Sequence, residues 1–248
     1  MDKVVIVTGA SRGIGASAAL GAAKAGYRVV VNYAQRREEA EAVVRDIATG
    51  GGTAVAIQAD VGLEADVMRL FAETDRLYGR LDGLVNNAGV VGRSSRFVDM
   101  ATADLHRVFA INVFGSFLCA REAVKRMSTS RGGAGGAIVN ISSGAATLGS
   151  PGEFIHYAAS KGAINTFTIG LAKEVAHEGI RVNAIEPGMV DTEMQNASGD
   201  TGRMARIVPT VPMARAASAT EIAGPILFLL SDAASYMTGA ILRVAGGR

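Results

Sequence analysis

Six short runs of apolar, mostly β-branched residues recur along this chain, at Val4 to Val7, Val29 to Val31, Ala54 to Ile57, Gly83 to Val85, Ala137 to Ile141 and Arg181 to Ile185, and longer segments of helical period separate them. The runs lack the alternation of a strand with one wet face, so they read as strands covered on both sides. Parallel strands of that kind require crossovers long enough to hold a helix, and the intervening segments have that length. The pattern predicts an α/β chain: a doubly wound parallel sheet with helices on both faces. At 248 residues it fits one domain, 1–248, because a single core stops growing at roughly 250–300 residues.

Within this frame, segment 36–48 reads as an amphipathic helix closed by Gly50-Gly51-Gly52, and the same pattern recurs at 63–78. Residues 128–136, rich in Ser and Gly, read as a surface loop. Residues 190–218, with Pro209, Pro212 and little periodicity, read as a functional loop carrying a substrate lid at about 190–215. Hydrophobic residues at 49% and charged residues at 19% exclude disorder, and a net charge of +2 without a basic run disfavours nucleic acid and membrane as partners. The single cysteine, Cys119, excludes an internal disulfide and reads as buried packing; with no long apolar segment, a cytoplasmic chain is expected. His106 and His177 have no second ligand at metal spacing, so no metal is expected.

The first strand ends in Thr8-Gly9-Ala10-Ser11-Arg12-Gly13-Ile14-Gly15, which places three glycines at a strand-to-helix turn. There the unpaired N–H groups of the helix start, with no Cβ in the way, let a phosphate approach the backbone. The glycine spacing, with Thr8 before it, resembles the short-chain dehydrogenase/reductase family. The resemblance extends over essentially the whole chain: Asn86-Asn87-Ala88-Gly89 follows strand four, Asn112 lies in the next helix, Ser143 closes strand five, Tyr157 and Lys161 stand in Tyr-Ala-Ala-Ser-Lys, and Pro187-Gly188-Met189-Val190-Asp191-Thr192 follows strand six.

The resemblance implies a Rossmann-type fold and a bound dinucleotide. Its contacts are expected from Gly9, Ser11, Arg12, Gly13, Ile14 and Gly15 of the loop, Asn32 and Tyr33 at the end of strand two, Asp60 and Val61 at the adenine, and Asn87, Ala88 and Gly89 at the adenosine ribose. Pro187, Gly188, Val190 and Thr192, with Tyr157 and Lys161, are expected around the nicotinamide. An acidic residue at the end of strand two would bind a ribose 2′-hydroxyl and repel a 2′-phosphate. The stretch Val31-Asn32-Tyr33-Ala34-Gln35-Arg36-Arg37 has none, and in the family a basic residue at the Arg12 position accompanies NADPH, so NADP(H) is the expected cofactor. Arg36 and Arg37 are either a solvated helix start or further phosphate contacts, and Asn86 reads as structural.

Tyr157 and Lys161 are one helical turn apart and share a face. A free tyrosine has a pKa of about 10, so acid/base work near neutrality asks about 4 kcal/mol of its surroundings. An ammonium at about 4 Å supplies about 4 kcal/mol at an effective dielectric of ~20, so Lys161 is expected to lower the phenol's pKa. The resemblance implies that Tyr157 exchanges a proton with the substrate oxygen during hydride transfer. By the same resemblance Ser143 steadies that oxygen, Lys161 holds the nicotinamide ribose, and Asn112 distorts its helix to position a water in a proton relay. Ser143 is chosen over Ser142 on the family's order, although it lies one residue further from the tyrosine than is usual there; an extra residue in Gly149 to Phe154 accounts for that. Glu153 and His156 read as caps near the tyrosine helix or as substrate contacts.

The resulting expectation is an NADP(H)-dependent oxidoreductase that interconverts a secondary alcohol and a carbonyl on a small-molecule substrate. The family's habit also implies a homo-oligomer, tetramer or dimer. The alternative is a non-catalytic NADP(H)-binding redox-sensing regulator, which has no need of Tyr157 and Ser143 together. Sugar-nucleotide epimerases and dehydratases also use Tyr-x-x-x-Lys, but they carry a longer substrate domain than this chain has room for.

Overall fold

The fold is that of a computed structural model describing residues 2–193, 200 and 202–248. Seven strands form one sheet in the order β3-β2-β1-β4-β5-β6-β7. They are β1 Val4–Val7, β2 Arg28–Tyr33, β3 Thr53–Gln58, β4 Gly83–Asn86, β5 Gly136–Ile141, β6 Ile180–Pro187 and β7 Ile241–Val244. Every neighbouring pair is parallel, with Val7 opposite Val31 and Val85 in the central ladders and Ile185 opposite Leu242 at the far edge. All six expected runs are strands, and β7 extends the sheet past β6.

The helices are α1 Gly13–Lys24, α2 Arg37–Thr49, α3 Glu64–Tyr78, α4 Thr102–Phe109, α5 Gly115–Met127, the single turn α6 Ala145–Leu148, α7 Ile155–Val175, α8 Arg203–Ile207 and α9 Ala219–Leu230. A wide turn of π type, Ala110–Phe114, joins α4 to α5. The glycine signals end helices where the sequence predicts: Gly51 after α2 and Gly79 after α3 both have positive φ. The Ser/Gly stretch at 128–136 is a loop holding one short turn, Thr129–Arg131. Of the expected lid at about 190–215, residues 194–199 and 201 lie outside the described residues.

Strands this rich in valine and isoleucine follow from burial on two faces, and the strand period of two divides their side chains between two apolar layers. Val5, Val7, Val29, Val31 and Val139 pack with Ala18, Ala22, Val43 and Ile226 of α1, α2 and α9. Val4, Ile6, Val30 and Ile138 pack with Leu70, Phe71, Ala123 and Ala172 of α3, α5 and α7. Both halves of the alternation are therefore apolar, which is why the runs show none.

The chain winds from β1 to β3 in one direction and from β4 to β7 in the other, so the order reverses between β1 and β4. In a doubly wound Rossmann-type sheet, a ligand crevice opens outside the carboxyl ends of the strands at such a reversal. The segments leaving β1, β4, β5 and β6 begin at Thr8, Asn87, Ser142 and Gly188, which brings all the sequence motifs to that one edge.

Candidate active site

A cleft of about 460 Å³ lies at the carboxyl edge, and its walls include Ile14, Asn87, Gly89, Ser143, Tyr157, Lys161, Pro187, Gly188, Val190 and Thr192. Its floor depends on a close approach of β1 and β4. Gly9 has φ +61, and a Cβ there would lie 2.9 Å from the Ala88 Cα. A Cβ on Gly15 would lie 2.4 Å from Asn87 Nδ2 and 2.6 Å from the Gly9 carbonyl oxygen, so this position too admits only glycine without a shift.

Polar side chains fix this floor to the backbone. The Thr8 hydroxyl accepts from the N–H groups of Asn87 and Ala88, both at 3.0 Å, and Asn87 Nδ2 donates to the carbonyls of Thr8 and Gly9 at 2.8 and 3.0 Å. Asn86, buried, donates to Asn140 Oδ1 at 2.9 Å and to the Ser116 carbonyl at 3.2 Å, in keeping with a structural role. At the end of β2 both expected cofactor contacts, Asn32 and Tyr33, are buried. Asn32 is buried, accepts from the Gly9 N–H at 3.2 Å and donates to the Ala59 carbonyl at 3.0 Å, so its amide braces the glycine loop rather than facing the groove. Tyr33 belongs to the apolar layer with Ala40 and Val43. Asp60 Oδ1 accepts from the Gly62 N–H at 2.9 Å, and Val61 is buried against the turn at Gly115.

The groove suits a dinucleotide. The first turn of α1 carries no acidic side chain and no side-chain cap, so its N–H groups are not taken by a carboxylate. Beside it, Arg12 pairs with Glu193, whose carboxylate also lies 4.0 Å from the Arg36 guanidinium. Arg37 pairs with Glu41 on the surface of α2.

At the other end of the cleft three groups converge. The Ser142 hydroxyl is buried and donates to the Lys161 carbonyl at 3.1 Å, whereas Ser143 lines the cleft together with Tyr157 and its hydroxyl accepts from the Ala145 N–H at 3.1 Å. Lys161 is buried, with Nζ 5.7 Å from the centre of the Tyr157 ring and 2.7 Å from the Ile141 carbonyl, to which it donates. Burial pushes the ammonium down to about 8. Burial likewise raises the phenol above its ordinary value, against opposing effects of the nearby Ser143 hydroxyl and the Arg203 charge. The expectation that Lys161 lowers the pKa of Tyr157 therefore fails for the free protein. The same removal from water that weakens the ammonium disfavours the phenolate, and Nζ is turned to a backbone carbonyl.

Asn112 sits in the π-type turn, so its helix is distorted there, as the resemblance implies. Its side chain pairs reciprocally with Val90, accepting from the N–H at 2.8 Å and donating to the carbonyl at 2.9 Å, and donates to Ser160 Oγ at 3.0 Å. It thus ties the segment after β4 to the helix that carries Tyr157.

Several wall residues escaped the sequence motifs. Arg203 of α8 lines the cleft, lies over the Phe154 ring at 5.2 Å and pairs with Glu153 at 3.1 Å. Glu153 also takes Arg206 at 2.7 Å; burial opposes its charge, but the two arginines hold its carboxyl below the usual carboxylate range. Arg248 also lines this wall. No local signal marks these residues, because loops brought together only by the fold carry no shared spacing. His156 is buried against Gly92 and outside the cleft wall, and Cys119 is buried with its thiol pushed up to about 12. Among the described residues no helix is long and apolar enough to cross a membrane.

Comparison with known proteins concerns the chain as a whole. Residues 9–248 match the family model described as enoyl-(acyl carrier protein) reductase. The chain is 48% identical over 245 residues to the uncharacterized oxidoreductase YgfF of Escherichia coli K12, covering 99% of both chains. It is 41% identical to a 3-oxoacyl-[acyl-carrier-protein] reductase of Synechocystis, covering 99% of this chain and 96% of that one. Among solved structures, a mutant Serratia marcescens short-chain dehydrogenase/reductase superposes with a TM-score of 0.91 at 36% identity, over 99% of this chain and 97% of that one. On the family model over residues 9–248, the 48% identical oxidoreductase and the TM-score of 0.91 to a solved short-chain dehydrogenase/reductase, the chain belongs to the short-chain dehydrogenase/reductase family of oxidoreductases.

Proposed function

We propose that the protein is a cytoplasmic, NADP(H)-dependent reductase of a small-molecule carbonyl, working through Tyr157, Ser143, Lys161 and Asn112. The observation that carries this reading is that Ser143, Tyr157 and Lys161 line one cleft that also reaches the glycine loop at Ile14. When bound, the dinucleotide supplies a hydride at its nicotinamide ring. Tyr157 then donates its phenolic proton to the substrate oxygen, and the raised pKa keeps that proton in place at neutral pH. The Ser143 hydroxyl hydrogen-bonds to the same oxygen and steadies the charge that develops there. Lys161 would hold the nicotinamide ribose, and Asn112 positions the segment from Gly89 to Val90 beside it.

The absence of a carboxylate at the end of β2 and the presence of Arg12 and Arg36 beside the loop support NADP(H) over NAD(H). A sensor without turnover would need the groove alone; Ser143 and Tyr157 at its far end favour an enzyme. The 3-oxoacyl reductases among the relatives make a 3-oxoacyl thioester the first substrate to try. The stacked and partly exposed Phe117 and Phe167, with rings 3.9 Å apart and Phe114 beside them, support a homo-oligomer, dimer or tetramer, built on α5 and α7.

The test is an NADPH-oxidation screen across carbonyl classes, run with the wild type and Tyr157→Phe. Loss of the phenol is expected to lower kcat by about 10²- to 10⁴-fold on the best substrate. Equal turnover by the two proteins would remove Tyr157 from the chemistry.

A further inference from the structure

Glu193 directly follows Thr192, at the point where the chain leaving β6 passes over the glycine loop; Thr192 Cγ2 lies 3.4 Å from where a Cβ on Gly13 would stand. The segment is pinned just upstream, because Val190 pairs with Ala217 and the Asp191 N–H donates to the Ala217 carbonyl at 2.9 Å. The Glu193 carboxylate accepts from Arg12 Nη1 and lies 4.0 Å from Arg36 Nη1, which also donates to Glu39 Oε1 at 2.8 Å. Two arginines from the segments after neighbouring strands, one in the loop after β1 and one after β2, thus converge on a single carboxylate from a third segment.

We propose that Glu193 determines coenzyme specificity by occupying, in the free protein, the cation pair that a ribose 2′-phosphate would take, so that a phosphorylated dinucleotide must displace it. The inference rests on the NADP(H) reading of the groove. A phosphate monoester carries about −1.5 to −2 charges at neutral pH and three acceptor oxygens, against one charge and two oxygens for a carboxylate, so it matches two guanidinium groups better. Glu193 holds the advantage of being tethered, which gives it an effective concentration on the order of mM at the arginines. Its side chain is 61% exposed and that of Arg12 36%, so the contact is weak enough to exchange. An unphosphorylated ribose has no charge with which to compete and binds with the pair intact.

The test measures, by calorimetry, the dissociation constants of 2′,5′-ADP and 5′-ADP for the wild type, Glu193→Gln and Arg12→Ala. The expected result is that Glu193→Gln tightens 2′,5′-ADP about three- to tenfold and leaves 5′-ADP unchanged, while Arg12→Ala weakens 2′,5′-ADP alone. If Arg12→Ala abolishes the preference for 2′,5′-ADP but Glu193→Gln leaves it unchanged or weakens it, the displacement proposal fails and the NADP(H) reading stands. If the wild type shows no preference for 2′,5′-ADP and Arg12→Ala alters nothing, the NADP(H) reading fails and the displacement proposal falls with it.

Discussion

The cleft has two rims held by different forces. On the rim formed by the glycine loop and the end of β4, Thr8, Asn32, Asn87 and Asn112 each bond to backbone groups through neutral, buried or half-buried side chains. On the rim formed by the loop before α7 and by α8, the ties run between charged side chains: Glu153 with Arg203 and Arg206, and Asp200 with Arg206. Buried backbone bonds cannot be broken without leaving a group unsatisfied, whereas ion pairs near the surface exchange with water and salt at small cost. The first rim positions atoms; the second can rearrange around a substrate. The floor of the coenzyme groove belongs to the first, and substrate choice to the second.

The largest effect is expected on the chemical side. Ser143→Ala should lower kcat by about 10²- to 10³-fold, the usual cost of one donor to a developing oxyanion. Ser142→Ala, which loses only an inward bond to the Lys161 carbonyl, should cost stability and leave kcat within a few-fold. Steady-state kinetics on both variants would break the assignment if Ser142→Ala proved the more damaging.

Lys161 tests the price of burying a charge there. Its folded pKa of about 8 lies below the ordinary 10.5, so between these values the unfolded chain binds a proton that the folded chain lacks, and stability rises with pH. Below the lower value both states are charged and the full penalty of about 3 kcal/mol applies. Urea melts compared across this window should show the wild type gaining on Lys161→Met from about pH 8 up to 10.5, a difference in which Tyr157, present in both proteins, cancels. A constant difference between the two proteins would contradict the burial of that ammonium.

On the floor of the groove, Asn87→Ala removes the donor to two carbonyls and should cost about 1–3 kcal/mol in denaturant melts, with coenzyme affinity falling in parallel. The smallest effect belongs to the charged rim. Glu153→Gln should change stability by no more than about 1 kcal/mol, yet it should alter KM for the substrate and its dependence on salt more than kcat. A stability loss as large as that of Asn87→Ala would erase the contrast between the rims.

The same contrast explains what the sequence made legible. Strand runs such as Val4 to Val7 and Val29 to Val31 were readable because burial on both faces imposes one composition, and the loop Gly9 to Gly15 was readable because close approach of backbones forbids a Cβ. The clamp between Glu153 and Arg203 was not readable, since its members are joined only through the third dimension. The bracing of the glycine loop by Asn32 was not readable, because a residue at the end of a strand can turn either to the groove or beneath the loop, and only the fold places its amide beneath. The pKa of Tyr157 misled for a different reason: spacing fixed the lysine's proximity but not the loss of water around both groups.

A crystal structure with coenzyme and the best carbonyl substrate of the screen would measure the central claim most directly. The account predicts that the substrate oxygen lies within about 2.6–3.2 Å of both Tyr157 Oη and Ser143 Oγ, with its carbon facing the nicotinamide ring. A substrate oxygen bound instead by Arg203 or Arg248, with the phenol turned away, would contradict it.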